Sequence, residues 1–161
     1  MNVNRLLLFG FMFGLLFLTA YGGGSSSAPT STTATLRLST SGTLPQGTSL
    51  EGVEITLTLP TGVTIRTESG DPVASGYVNV AGEGLPESVI AVYIPASGTT
   101  PATLSLAVTS TTAAGFGTGQ FVTVTCDLNG TSPKASDFVL SDFKPYDLSG
   151  NLVNGLTASI L

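Results

Sequence analysis

Asp147, Ser149 and Asn151 stand at alternate positions around Gly150, the arrangement of oxygen-bearing side chains that opens a calcium-binding loop. A complete loop of that kind needs a glycine at its sixth position and a bidentate glutamate at its twelfth. Leu152 and Ala158 occupy those places, so the segment reads as a hairpin turn. Glu68-Ser69-Gly70-Asp71 offers carboxylates to a hard cation but reads as a solvated loop. Gly115-x-Gly117-x-Gly119 has the look of a phosphate loop, yet such loops open a helix whose N-terminus meets the anion, and this one runs into a strand. Cys126 shares its side of that strand with Val122 and Val124, which makes it a small buried hydrophobe and not a nucleophile. Asn129-Gly130-Thr131 matches a glycosylation triplet.

Histidine and tryptophan are both absent. Without histidine there is no Ser-His-Asp or Cys-His arrangement and no histidine-containing zinc site. Paired carboxylates of a glycosidase are defined by a separation in space that spacing along a chain does not show, and the acids here are scattered through loops. The expectation is a non-enzyme with no cofactor and no metal. Sugar-binding modules present flat aromatic rings, and the two candidates for exposed rings are Phe116, flanked by glycines, and Tyr146, beside Pro145. One cysteine cannot form an intramolecular disulfide, so stability has to come from core burial.

The element that must organise these residues is the stretch 119–130, GQFVTVTCDLNG. It alternates at period two, with Val122, Val124, Cys126 and Leu128 on one side and Phe121, Thr123, Thr125 and Asp127 on the other, and Asn129-Gly130 ends it. Large side chains on both faces suit the middle of a sheet. Upstream, Leu36 and Leu38 alternate with Thr35 and Arg37, and Val53, Ile55, Leu57 and Leu59 alternate with Glu54, Thr56 and Thr58. Pro60-Thr61-Gly62 turns the chain into a short apolar piece at 63–65, 76–81 is a weaker strand candidate, and 102–109 alternates again through Leu104, Leu106 and Val108. The run 88–94, SVIAVYI, is apolar on both faces and reads as an interior strand. Phe138 and Leu140 mark a strand at 137–143, Leu156, Ala158 and Ile160 mark the last, and Asn154-Gly155 is of the type that favours a tight hairpin with positive φ. Eight or nine strands with no sustained 3.6 period make an all-β, two-sheet sandwich in one domain.

The N-terminus has a different character. Arg5 precedes an unbroken apolar run from Leu6 to Leu18, the plan of a secretory signal and too short to span a membrane as a helix. Beyond that segment four bases face ten acids, a net of −6, so nucleic acid and anionic membrane surfaces are poor partners. Leu18-Thr19-Ala20 followed by the Gly/Ser run from Gly22 resembles the lipobox of bacterial lipoproteins, except that the acylated cysteine's position holds Tyr21. The resemblance implies a lipoprotein lineage whose anchor this chain has lost, and hence an exported product with no stable membrane anchor unless the signal stays uncleaved. The expected organisation is a signal at 1–21, a flexible Gly/Ser/Thr tether at 22–33 and the sandwich at 34–161.

Three pieces of the sandwich resemble the cohesin family, jelly-roll sandwiches related to carbohydrate-binding modules. They are Gly52-Val53-Glu54-Ile55-Thr56-Leu57-Thr58-Leu59-Pro60 with Gly62-Val63-Thr64-Ile65, the glycine-led strand from Gly119 to Cys126, and the closing region from Phe138 to Ile160 with its Asp147-Leu148-Ser149-Gly150-Asn151 turn. Leu59 stands where cohesins often carry an acidic residue before the turn proline. The resemblance implies a jelly-roll fold and a non-catalytic module of the bacterial cell envelope that binds a protein, dockerin-like by resemblance, through one sheet face. Polysaccharide binding and a purely structural envelope role are the alternatives.

Overall fold

The computed structural model describes residues 32–69, 72–82 and 86–161. The signal, Tyr21 and the tether up to residue 31 lie outside the described residues. The described chain forms nine strands: β1 (Thr33–Ser41), β2 (Leu50–Thr58), β3 (Val63–Thr64), β4 (Val78–Val80), β5 (Ser88–Ile94), β6 (Thr103–Thr109), β7 (Gly119–Leu128), β8 (Val139–Asp147) and β9 (Thr157–Ile160). A short 3-10 turn, Ala135–Asp137, precedes β8.

The strand pairings are antiparallel throughout. One sheet runs β3-β7-β1-β9, with β4 also paired to β7, and the other runs β5-β6-β2-β8. The chain changes sheet at almost every step, since only β3 to β4 and β5 to β6 stay within one sheet. This is a two-sheet β-sandwich, and its core is the space between the sheets. Leu36, Leu38, Val122, Val124 and Cys126 point into it from one side, and Val53, Ile55, Leu57, Leu104, Leu106 and Val108 from the other. Alternation explains this directly, because every second residue of a strand faces the opposite sheet.

β7 lies inside its sheet, between β1 and the β3 and β4 segments, as its two substantial faces require. One detail departs from simple alternation. Leu38 pairs with Val122 while Ser39 pairs with Gln120, so Phe121 is an extra residue on β7. That bulge lets Phe121 and Val122 both be fully buried, although they are consecutive.

Two expectations need correction. The run 88–94 is not interior: β5 is the edge of its sheet, and its outward residues Ile90, Val92 and Ile94 are 68%, 54% and 56% exposed. Asn154-Gly155 is not a hairpin turn either. Gly155 has a φ of 84° but Asn154 is not among the positive-φ residues, and the strands on either side belong to different sheets. The segment carries the chain across the sandwich. The tight turn of this region is instead 147–151, closed by a bridge between Tyr146 and Leu152.

Candidate functional site

The outer face of the β5-β6-β2-β8 sheet is built in rows set by strand register. Ile90, Ala107, Glu54 and Lys144 form one row, Val92, Ser105, Thr56 and Ser141 the next, and Ile94, Thr103, Thr58 and Val139 the third. Small side chains on β6 and β2 make a low floor. The β5 residues stand as an apolar wall on one side, and Val139, 56% exposed, continues apolar surface on the far strand. Between the β5 wall and the polar side of β8 lies an open trough of about 290 Å³, lined in part by Ile90, Val92, Ser105, Thr56, Asp142 and Lys144.

The β8 wall is polar because of a second bulge. Glu54 pairs with Lys144 and Thr56 with Ser141, so Ile55 faces two residues, Asp142 and Phe143. Asp142 takes a φ of 53°, the left-handed conformation that a short polar side chain tolerates, while Phe143 packs against the core. The Ser141 hydroxyl donates to Asp142 Oδ2 at 3.1 Å. Lys144 Nζ lies 4.0 Å from Glu54 Oε2, which also accepts a hydrogen bond from the Tyr146 hydroxyl at 3.2 Å. Together these groups give a shallow trough with an apolar side on β5 and a mixed-charge side formed by Glu54 of β2 with Asp142 and Lys144 of β8.

The opposite outer face is different in kind. Arg66 donates from Nε and Nη2 to both oxygens of Asp127, at 3.2 and 3.1 Å, and the Tyr77 hydroxyl donates to Asp127 Oδ1 at 2.9 Å. The guanidinium carbon sits 4.9 Å from the Tyr77 ring centre. Partial desolvation, followed by the hydrogen bond to Asp127, raises the Tyr77 phenol above its ordinary value. With every group engaged by the others, the cluster ties the 66–77 segment down onto β7.

The candidate residues chosen from sequence fall in several places. Phe116 is not exposed: it is 4% accessible, and its backbone exchanges two hydrogen bonds of 2.8 Å with Leu50. Gly115, where a Cβ would collide with the Leu50 carbonyl, lets the loop come close to Leu50 instead of displaying the ring. Tyr146 is half-buried at the end of β8, on the outer face of that sheet, with its hydroxyl on Glu54. The two rings therefore do not form a common platform. Asp147 Oδ1 accepts hydrogen bonds from the Ser149 and Asn151 amides at 2.8 and 2.9 Å, and these, Asn151 first, hold its carboxyl below the usual aspartate value. The carboxylate is a turn-closing acceptor, as the hairpin reading requires. Glu68 Oε1 accepts from the Ser75 amide at 3.0 Å, whereas Gly70 and Asp71 lie outside the described residues.

Cys126 is fully buried, and burial, then the neighbouring Asp127 charge, pushes its thiol up to about 12. The Asn129 side-chain amide donates to the Thr64 hydroxyl at 3.2 Å. Among the described residues no group of three or more cysteine and acidic side chains is placed to hold a metal ion. Sequence reasoning missed the β5 surface, although the signal for it was SVIAVYI itself. Its odd residues look inward and its even ones outward, and only the topology shows that among the described residues no strand pairs beyond it.

No protein-family model and no curated protein matches the chain. Among solved structures it is similar to a non-cellulosomal cohesin from the hyperthermophilic archaeon Archaeoglobus fulgidus, with 13% identity over 76% of this chain and 73% of that one, at a TM-score of 0.47. A likeness of that size identifies no family, and the assignment of a sandwich rests on the strand pairing of the chain itself.

Proposed function

We propose that this chain is a non-catalytic, exported module of the cell envelope that binds a protein partner on the outer face of the β5-β6-β2-β8 sheet. The observation that carries the reading is the exposed row Ile90, Val92 and Ile94 beside a floor of small residues, with the Glu54–Lys144 pair opposite. Exposed aliphatic side chains aligned on a flat sheet gain from being covered, at about 25 cal/mol per Å² of apolar area removed from water. The adjoining charges give orientation. A dockerin-like partner is what the cohesin resemblance suggests. Export follows from the apolar run after Arg5, and release from the membrane from Tyr21 in the lipidation position.

The polysaccharide reading is weaker, because Phe116 is buried and Tyr146 alone is no stacking platform. The test is capture of envelope proteins from the parent organism by the full chain and by its Ser105→Arg and Thr56→Arg variants. Both substitutions place a long charged side chain on the floor of the face without touching the core. A partner retained by the wild type and lost by both variants supports the reading. A partner bound equally by all three places the contact elsewhere.

A further inference from the structure

We infer that β5 is the seam of a symmetric homodimer, in which two copies pair antiparallel along Ser88–Ile94 and join two four-stranded sheets into one of eight strands. The inference rests on the strand's edge and not on the docking reading, although it would set the apolar halves of two docking faces side by side.

A sheet edge presents unpaired N–H and C=O groups, and proteins ordinarily guard it with charge, proline, a bulge or brevity. Among the described residues the other terminal strands of the two sheets are guarded. β9 has four residues and β3 and β4 have two and three, while β8 carries Lys144, Pro145 and the bulge at Asp142. β5 has none of these devices. It is seven residues long, pairs with β6 without a register shift, and contains no charged residue and no proline. Among the described residues, no backbone hydrogen bond reaches Ser88–Ile94 from any element but β6. The nearest sequence charge, Glu87, is turned away, its carboxylate accepting from the Thr111 amide at 3.1 Å and from the Thr111 hydroxyl.

A second copy is the occupant that matches this edge. In an antiparallel register centred on Val92, Val92 meets its own copy, and Ile90 and Ile94 of one chain meet Ile94 and Ile90 of the other. All three exposed aliphatic residues are then paired across the seam. On the inner side, Val89 and Ala91 line an open groove of about 310 Å³ against Val73, Ala74 and Val78, so the second copy's inward residues enter free space. For a chain of net charge −5 an uncharged strip is also the place where two copies approach with least repulsion.

The test is oxidative cross-linking of the full chain carrying Val92→Cys, with Val139→Cys, equally exposed on the opposite edge strand, as the control. Self-paired residues of an antiparallel ladder have Cα atoms about 4.5–5.5 Å apart, within reach of a disulfide. Cys126 is fully buried and gives no background. The expected result is a disulfide-linked dimer for Val92→Cys and none for the control. In sedimentation, Val92→Lys should weaken self-association by about tenfold through like charges directly opposite. Ile90→Lys should weaken it too, and adding Ile94→Glu to the same chain should restore it, because the introduced ammonium of each copy then meets the introduced carboxylate of the other. Equal cross-linking of the two cysteine variants or indifference to Val92→Lys would each overturn the inference. The sedimentation arm uses the chain without any partner, so a monomer there leaves the docking reading untouched. Conversely, a dimer with unaltered partner capture by Ser105→Arg and Thr56→Arg refutes only the docking reading.

Discussion

Arg66 and Asp127 are 61 residues apart in sequence and meet as a two-point pair, Nε to Oδ2 at 3.2 Å and Nη2 to Oδ1 at 3.1 Å. The pair joins the segment after β3 to the end of β7, and the Tyr77 hydroxyl closes it from the segment before β4. The side chain of Arg66 is 59% exposed and that of Asp127 21%, so solvent screens the attraction. A double-mutant cycle of Arg66→Ala and Asp127→Ala is expected to give a coupling of about 0.5–1 kcal/mol, reduced by salt. Coupling indistinguishable from zero at low salt would mean that the segment is held without this ion pair, by the Tyr77 hydrogen bonds and its apolar contacts.

Asp147 supports a prediction about calcium and acid. Its oxygens already serve the Asn151 and Ser149 amides, so millimolar calcium should leave the melting temperature nearly unchanged. A rise of many degrees that Asp147→Ala removes would restore the calcium-loop reading. Because the carboxyl's folded value is lowered from 3.8, the turn's contribution is present above that pH and is lost as pH falls through the lower folded value. Amide shifts of Ser149 and Asn151 followed through an acid titration should show a midpoint below 3.8.

The Cys126 thiol is expected to react with disulfide reagents only after denaturation, as a fully buried group pushed up to about 12. The unfolded chain loses this proton near 9 and the folded chain near 12, so stability should decline as pH rises across that interval. Cys126→Asp should destabilise by about 3 kcal/mol or more, as an unpaired charge within the sandwich. Rapid labelling of the native protein would contradict the facing of β7.

Two glycines of one motif should respond in opposite ways. Gly115 has a φ of 61°, and a Cβ there would collide with the carbonyl oxygen of Leu50; Gly117 has no positive φ and nothing within 4 Å. Gly115→Ala should therefore lower stability by about 1–3 kcal/mol while Gly117→Ala changes it little, as urea unfolding would show. Similar losses at both positions would argue against the Leu50 contact as the reason for the motif.

The last prediction concerns Tyr21, outside the described residues. On the proposed reading of the N-terminus, Tyr21→Cys should yield a membrane-bound, palmitate-labelled product where the wild type yields neither, since acyl chains contribute about 0.8 kcal/mol per buried CH₂. Palmitate on the wild type, or none on the variant, would show that the N-terminus is not a lipidation signal that has lost its cysteine.

What the sequence determined by itself is local. The alternation of Val53 to Leu59, of Leu104 to Val108 and of Val122 to Cys126 specifies which side of each strand is buried, because period two follows from backbone geometry whatever the neighbours are. Glycine and asparagine likewise marked where β7 stops, and the amide-bonded turn at Asp147 was legible from residue types. The tertiary structure decided everything that depends on what lies beyond a strand. SVIAVYI has the composition of an interior strand, but hydrophobicity reports what a side chain tolerates and not whether another element arrives to cover it. Phe116 between two glycines looked free, and a backbone contact to the distant Leu50 buried it. The bulges at Phe121 and Asp142 arise from pairing two particular strands, and because the chain changes sheet at nearly every connection, those pairings cannot be read from neighbours in sequence. The exposed outer face of Ile90, Val92 and Ile94 and the open edge of β5 are products of that pairing, which is why neither was visible before the strands were assembled.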